Sequence, residues 1–279
     1  MRLSSPKIAP RGLPSNRSWP GSRDLSRAKL DLLRLAALSD IHGNASALRA
    51  VLADLDTQGG ADQLLVLGDI VLLGPDPGEV VEHLMQRGAI GVYGNTDRFL
   101  LDTDWSAFEP ESEEECADQA LCLWALERLD EQARTWLRSL PFQKDLVVGA
   151  RRLLLVHGSP RSVGDAIEAD TPKADVRQMI AAAEADLILF GHTHRPLNRA
   201  VDNVRLINPG AVGYPQGEDS TARYALLTWD AGDWHVTFRL ARYDVDEVVQ
   251  RLLAAERPYR IWIAETLRRA AHVPLETFE

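Results

Sequence analysis

Phe190-Gly-His-Thr-His194 closes the apolar run Asp186-Leu-Ile-Leu-Phe190, and an apolar run that stops at a glycine reads as a buried strand giving way to a loop. Two histidines spaced two apart at that point place two imidazoles, the commonest transition-metal ligands, in one loop. His-x-His alone also occurs on surface loops and in satisfied cores, so it does not decide the matter. Four other stretches do, each after an apolar strand-like run: Asp40-Ile-His42, Gly68-Asp69, Gly94-Asn95-Thr96-Asp97 and His157-Gly158.

Arg34 to Ser39 reads as a strand ended by Asp40-Ile-His42-Gly-Asn44. Asn44 can cap the following helix, where Leu48, Val51, Leu52 and Leu55 repeat at three and four residues before Gly59-Gly60 stops it. Gln63 to Leu67 is a second strand ending at Gly68-Asp69, Pro77 opens a second helix, and Ala89 to Tyr93 is a third strand ending at Gly94-Asn95. Strands alternating with helices predict right-handed crossovers and a parallel sheet, with ligand sites beyond the carboxyl ends of the strands. Leu146 to Val148 and Arg152 to Val156 read as adjacent strands joined through Gly149, and a helix near Ala174 to Ala183 leads to the strand before Gly191. Val204 to Ile207, Arg223 to Trp229 and Trp234 to Arg239, bounded by Asn-Pro-Gly and Asp-Ala-Gly-Asp turns, predict an antiparallel sheet, and Val245 to Leu253 and Ile261 to Ala270 predict helices.

The 279 residues are 45% hydrophobic and 26% charged, enough for a large globular core. Residues 1–30 carry seven Lys/Arg against one Asp, so taking +6 from the net -10 leaves -16 on the body. An acidic body repels nucleic acid and anionic membranes. The Ser/Pro/Arg-rich residues 1–30 lack an apolar run for a signal peptide or a membrane span and read as a disordered tail. Residues 31–279 read as one domain with an acidic helical insertion at about 98–140, whose Leu121, Trp124, Ala125, Leu129, Trp136 and Leu137 form an apolar side for packing. Cys116 and Cys122 stand six apart in that helix and point to different faces, which gives no metal knuckle or disulfide and fits a reducing, cytoplasmic setting.

The strand ends thus supply Asp40, His42, Asp69, Asn95, His157, His192 and His194 to one rim, including four of the seven histidines. A bridging carboxylate with mixed nitrogen and oxygen ligands suits two divalent ions, with Mn²⁺, Fe or Zn²⁺ fitting better than Mg²⁺ or Ca²⁺. These ordered motifs resemble those of the calcineurin-like metallophosphoesterases from about Leu35 to Tyr243. Gly68-Asp-Ile-Val-Leu-Leu-Gly74-Pro, Gly191-His-Thr-His-Arg-Pro196 and Asn208-Pro-Gly-Ala-Val-Gly213 are similar to a bacterial and archaeal phosphodiesterase subgroup. The resemblance implies an α/β fold: a four-layer α/β/β/α sandwich with two mixed β-sheets flanked by helices.

It also implies that Asp40, His42, Asp69 and His194 hold one ion, that Asn95, His157 and His192 complete the other, and that Asp69 bridges. Two such cations lower the pKa of a bridging water from 15.7 to about 7, preparing in-line attack on phosphorus. Mn²⁺ is the expected metal, with Fe, Zn²⁺ or Ni²⁺ as alternatives. The catalytic group expected is Asp69, Asn95, Thr96 and Asp97, the last behind the ligands. Thr96 departs from the protein phosphatases, which have a histidine there, and threonine does not protonate a leaving group effectively at neutral pH. Its hydroxyl could instead just satisfy a turn, as Asn208 to Gly213 could be a turn that closes the rim. Asn44, Arg98, Arg161 and Arg195 are candidate substrate contacts, with arginine able to hold phosphate bidentately. Ile70-Val-Leu-Leu replaces the Asp-Arg-Gly of protein Ser/Thr phosphatases and symmetrical dinucleoside-tetraphosphate hydrolases, and Leu72 stands where purple acid phosphatases place a tyrosine. The expected activity is hydrolysis of small or nucleotide-like phosphodiesters, with a small phosphorylated substrate and neither membrane nor nucleic acid as partner. A phosphomonoesterase or pyrophosphatase, or a metal-bound interaction scaffold without turnover, is the alternative. Oligomeric state is not legible in the sequence.

Overall fold

A computed structural model describes residues 33–230, 232–271 and 273; the basic stretch of residues 1–30 lies outside them. The elements run β1 (Leu33–Leu38), α1 (Ala45–Thr57), β2 (Gln63–Leu67), α2 (Pro77–Gln86), β3 (Ile90–Val92), α3 (Asn95–Asp102), α4 (Glu113–Glu127), α5 (Glu131–Ser139), β4 (Lys144–Val148), β5 (Arg151–Leu155), α6 (Lys173–Ile180), β6 (Leu187–Leu189), β7 (Leu197–Val201), β8 (Val204–Asn208), β9 (Ala222–Asp230), β10 (Asp233–Ala241), α7 (Val245–Ala254) and α8 (Arg260–Arg269). They build two five-stranded mixed sheets, ordered β10-β9-β1-β2-β3 and β4-β5-β6-β8-β7.

Each sheet contains a run of three parallel strands, β1, β2 and β3 ending at the edge of one and β5, β6 and β8 in the middle of the other. The three strands expected to form an antiparallel sheet divide between the two sheets. β8 instead joins β6 in parallel, while β9 and β10 pair antiparallel on the β1 edge of the first sheet. Turn signals report a reversal of the chain but not which sheet the next strand enters. β7, which was not predicted, pairs antiparallel with β8 as its sheet's edge.

The apolar runs are continuous because both faces of the central strands are buried. Along β1, Leu33, Leu35 and Ala37 face the core between the sheets with Leu65, Leu153, Leu187 and Ile207. Ala36 and Leu38 face the opposite way, towards Val51 of α1 and Val80 of α2. On the far side, Leu154, Ile188 and Leu206 pack against Val176 and Ile180 of α6. Leu121, Ala125, Leu129, Trp136 and Leu137 of the acidic stretch join the same core as α1 and α2, and Trp124 is packed against it. In α4, Cys116 is exposed and Cys122 buried, both free. None of the helices among the described residues is long and apolar enough to cross a membrane.

α1 is fastened to the far edge of its sheet by Asp54. Its carboxylate accepts from Arg239 Nε and Nη2 at 3.1 and 2.8 Å and from Tyr224 Oη at 2.8 Å. The Arg239 hydrogen bonds hold the Asp54 carboxyl below its ordinary 3.8, against the effect of burial. A depressed carboxylate stabilises the fold above its unfolded pKa and loses that contribution as pH falls through the folded value. Asp54→Ala should therefore lower stability by about 1–2 kcal/mol at pH 7, with the gap to wild type closing in acid; urea melts at pH 7 and pH 3 check this.

Candidate metal centre

The carboxyl ends of the parallel strands converge. Asp40 and His42 follow β1, Asp69 follows β2, Asn95 opens α3 after β3, His157 follows β5, and His192 and His194 follow β6. Asp40, His42 and His194 present ligand atoms within 4.8 Å of one another, and so do Asp69, His157 and His192. The loops carrying them are pinned to one another: Asp40 N donates to Gly68 O at 3.1 Å, His42 N to Asp69 O at 2.9 Å and Gly191 N to His157 O at 2.7 Å. Asp40, His42, Asp69, His192 and His194 all have positive φ, between 50° and 69°. For residues with a β-carbon this is strained backbone, which persists where the surroundings over-determine it.

Three imidazoles are oriented through Nδ1. His42 Nδ1 lies 3.1 Å from Leu72 O, His157 Nδ1 2.7 Å from Leu67 O and His194 Nδ1 2.6 Å from Tyr214 O. A carbonyl accepts only, so each Nδ1 carries the proton and the Nε2 of each ring turns into the site, the arrangement that backbone carbonyls impose on metal-binding histidine. His42 Nε2 and His194 Nε2 then stand 3.3 Å apart, and two facing lone pairs need a proton or a cation between them. His194 Nε2 is also 3.3 Å from Asp40 Oδ1, a buried oxygen with no hydrogen-bond partner. His157 Nε2 lies 2.9 Å from Asn95 Oδ1. These imidazole, carboxylate and amide donors fit divalent cations of the first transition row.

One oxygen faces both groups: Asp69 Oδ2 is 3.7 Å from His42 Nε2 and 3.5 Å from His157 Nε2. Its companion Oδ1 accepts from Thr96 N at 2.8 Å. Burial would raise the Asp69 carboxyl, but His157 and His42 outweigh it and hold it well below the usual range. Burial opposes protonation of His157 too, yet Asp69 and Asp40 lift it to about 9, whereas burial takes His42 down to about 4. Gly94 must lack a side chain, because a Cβ there would overlap the Asp69 carboxylate and backbone.

The remaining predicted residues separate. Asp97 is buried, accepts from Ile70 N and Gly94 N at 2.9 Å each, and is raised to about 6 by burial and by Asp69; it braces the two loops and does not line the cavity. Thr96 does line it, and its Oγ1 is buried without a partner, so the hydroxyl does not satisfy a turn. Asn44, expected as a substrate contact, is hydrogen-bonded within the fold. Its Oδ1 caps α1 at Ala47 N (3.0 Å), and its Nδ2 donates to Gly213 O (3.1 Å) and Tyr243 Oη (3.3 Å), which leaves a buried side chain fully engaged. Arg98 pairs with Asp102 at 2.9 Å, Arg161 pairs with Asp165 at 2.8 Å, and Arg195 is exposed; none borders the cavity. Asn208 Nδ2 donates to Gly191 O (2.7 Å) and Thr193 Oγ1 (3.1 Å), so the Asn-Pro-Gly turn holds the His-x-His loop.

The cavity, about 180 Å³, also touches Leu73, Tyr214, Pro215, Gln216, Trp262 and Thr266. Sequence reasoning missed these. Trp262 and Thr266 carry only the signal of an amphipathic helix. The Leu73 loop is held by Arg257, which donates to Leu73 O and Gly74 O and stacks 4.4 Å from the Trp124 ring.

Residues 33–232 match the model of the calcineurin-like phosphoesterase superfamily domain. An uncharacterized protein of Methanocaldococcus jannaschii is 26% identical over 250 residues, 84% of this chain and 96% of that protein. Phosphodiesterase YfcE of Escherichia coli is 27% identical over 209 residues, 71% of this chain and 89% of the enzyme. The crystal structure of a metallophosphoesterase from Sphaerobacter thermophilus superposes with a TM-score of 0.68 at 28% identity, covering 86% of this chain and 99% of that one. With its two mixed sheets and with the family match spanning β1 to the turn before β10, the chain belongs to the calcineurin-like phosphoesterase superfamily of phosphoester hydrolases.

Proposed function

We propose that the chain is a binuclear-metal phosphodiesterase acting on small or nucleotide-like phosphodiesters. The reading rests on Asp69 Oδ2, a single carboxylate oxygen placed 3.7 Å from His42 Nε2 in one group and 3.5 Å from His157 Nε2 in the other. Asp40, His42, Asp69 and His194 would hold one ion, and Asp69, Asn95, His157 and His192 the other. When bound, such ions supply a water that ionises near neutral pH and Lewis-acid sites for phosphate oxygens. Mn²⁺ is the metal proposed, with Fe, Zn²⁺ or Ni²⁺ as substitutes.

The protein's part is preorganisation. Leu72, Leu67 and Tyr214 carbonyls fix three imidazoles, and Thr96 N fixes Asp69 Oδ1 so that Oδ2 stays turned to both groups. Thr96 Oγ1 borders the cavity and can donate to a phosphate oxygen, but a hydroxyl is too weak an acid to protonate a leaving group effectively at pH 7. Esters with good leaving groups are therefore the preferred substrates. No arginine among the described residues borders the cavity, so charge on the phosphate is to be met by bound cations. The free cysteines and the acidic surface accord with a cytoplasmic setting and a small substrate. We further read residues 31–279 as one domain with a packed helical insertion.

Chelator-stripped protein should hydrolyse bis-p-nitrophenyl phosphate only after Mn²⁺ is restored, and p-nitrophenyl phosphate more slowly. Faster monoester turnover would move the reading to a phosphomonoesterase, and no turnover of either ester with two ions bound would replace it with a scaffold. Asp69→Asn should lower kcat at least about 100-fold and reduce the content of both ions by elemental analysis; full activity would remove its bridging role. Thr96→His should leave metal content intact and raise kcat for diesters with poor leaving groups by about 10-fold or more, with little change on p-nitrophenyl esters.

A further inference from the structure

The cavity has two unlike walls. One is the metal centre. The other, formed by Leu73, Tyr214, Pro215, Gln216, Trp262 and Thr266, has no charged residue. Trp262 and Thr266 come from α8 (Arg260–Arg269), which lies beyond the 33–232 stretch shared with the superfamily. Four residues apart on a helix, they share one face. The α7 and α8 pair is seated by its own apolar cluster, in which Val248, Val249 and Leu252 meet Ile263, Leu267 and Tyr214.

The two α8 side chains offer complementary chemistry. Trp262 Nε1 donates to Val273 O at 2.6 Å, so its ring is fixed and its only donor engaged; it presents apolar ring surface to the cavity. Among the described residues, Thr266 Oγ1 is buried and has no hydrogen-bond partner. Native folds rarely leave such an atom unsatisfied, and a group aimed into a cavity is completed by what enters it. The half-buried Gln216 brings an amide to the same wall. A fixed aromatic surface beside a hydroxyl and an amide suits a flat ring with a polar edge. An alkyl group would leave Thr266 unsatisfied, and a polyphosphate tail would find no cation on this wall.

We propose that α8 is the specificity wall of the site and that it receives a nitrogen heterocycle of the nucleobase class carried by the phosphoester, with Trp262 against the ring and Thr266 on its edge. The proposal rests on the hydrolase reading for the position of the phosphate. It is tested by calorimetric titration of the full-length, Mn²⁺-loaded protein with adenosine 5′-monophosphate and with methyl phosphate, which share the phosphate but not the base. The nucleotide should bind about 10-fold tighter, and Thr266→Val, which keeps the side-chain shape, should narrow that ratio to about 3-fold or less. Should Thr266→Val fail to fold, Gln216→Ala in the adjoining loop is expected to narrow the ratio likewise. Equal affinities in wild type, or a ratio untouched by either variant, would overturn the proposal. Turnover of bis-p-nitrophenyl phosphate measured in parallel separates the two ideas. A base-dependent ratio without turnover defeats only the hydrolase reading, and turnover with equal affinities defeats only the α8 wall.

Discussion

Burying an ionised carboxylate is expensive unless it is paired and hydrogen-bonded, and the rim of this fold is built around one such group. Asp69 is almost completely enclosed, yet His157, His42 and Thr96 N surround it so that the charged form is the favoured one. That arrangement dictates much else. Gly94 must be bare to let the carboxylate through, Asp97 must brace the loops on either side, and Leu67 and Leu72 must give up carbonyls to orient the histidines. The two sheets supply the frame, since the adjacent ends of five strands, β1, β2 and β3 of one sheet and β5 and β6 of the other, bring together side chains so far apart in the chain.

Much of that frame is readable from the sequence, for a physical reason. Central strands buried on both faces become unbroken apolar runs, and the residues that end them are free to be polar, so Asp40, Asp69, Asn95, His157 and His192 stand out against what precedes them. Caps are equally local, and Asn44 before α1 was expected to be one. What escaped prediction depends on distance. Whether Asn44 has capacity left for a substrate depends on Gly213 and Tyr243, nearly 200 residues later in the chain for the latter. Arg98 and Arg161 are the exceptions, because Asp102 and Asp165, which take them, stand only four residues further on and the pairing is a local signal. Tyr214, Trp262 and Thr266 reach the cavity through the packing of α7 and α8, for which no local signal exists.

The acidic stretch illustrates the same division. Its charges are distributed on the exposed side of α4, and its apolar residues enter the core shared with α1 and α2. Asp118 is the exception: buried, held up at about 6 by its burial, and bonded to Tyr259 at 3.2 Å just before α8. Together with Arg257 over Trp124, this contact joins the insertion to the segment that leads into the second wall of the cavity. Composition alone could assign the stretch to solvent, but not to that junction.

The left-handed backbone at Asp40, His42, Asp69, His192 and His194 also constrains how such a protein can change. Elsewhere in a fold, selection for robustness and selection for chemistry can act on different residues. Here they collide, because glycine or asparagine would relax the backbone at the very positions whose side chains form the centre. A lineage released from the need for chemistry would gain robustness by losing these side chains first.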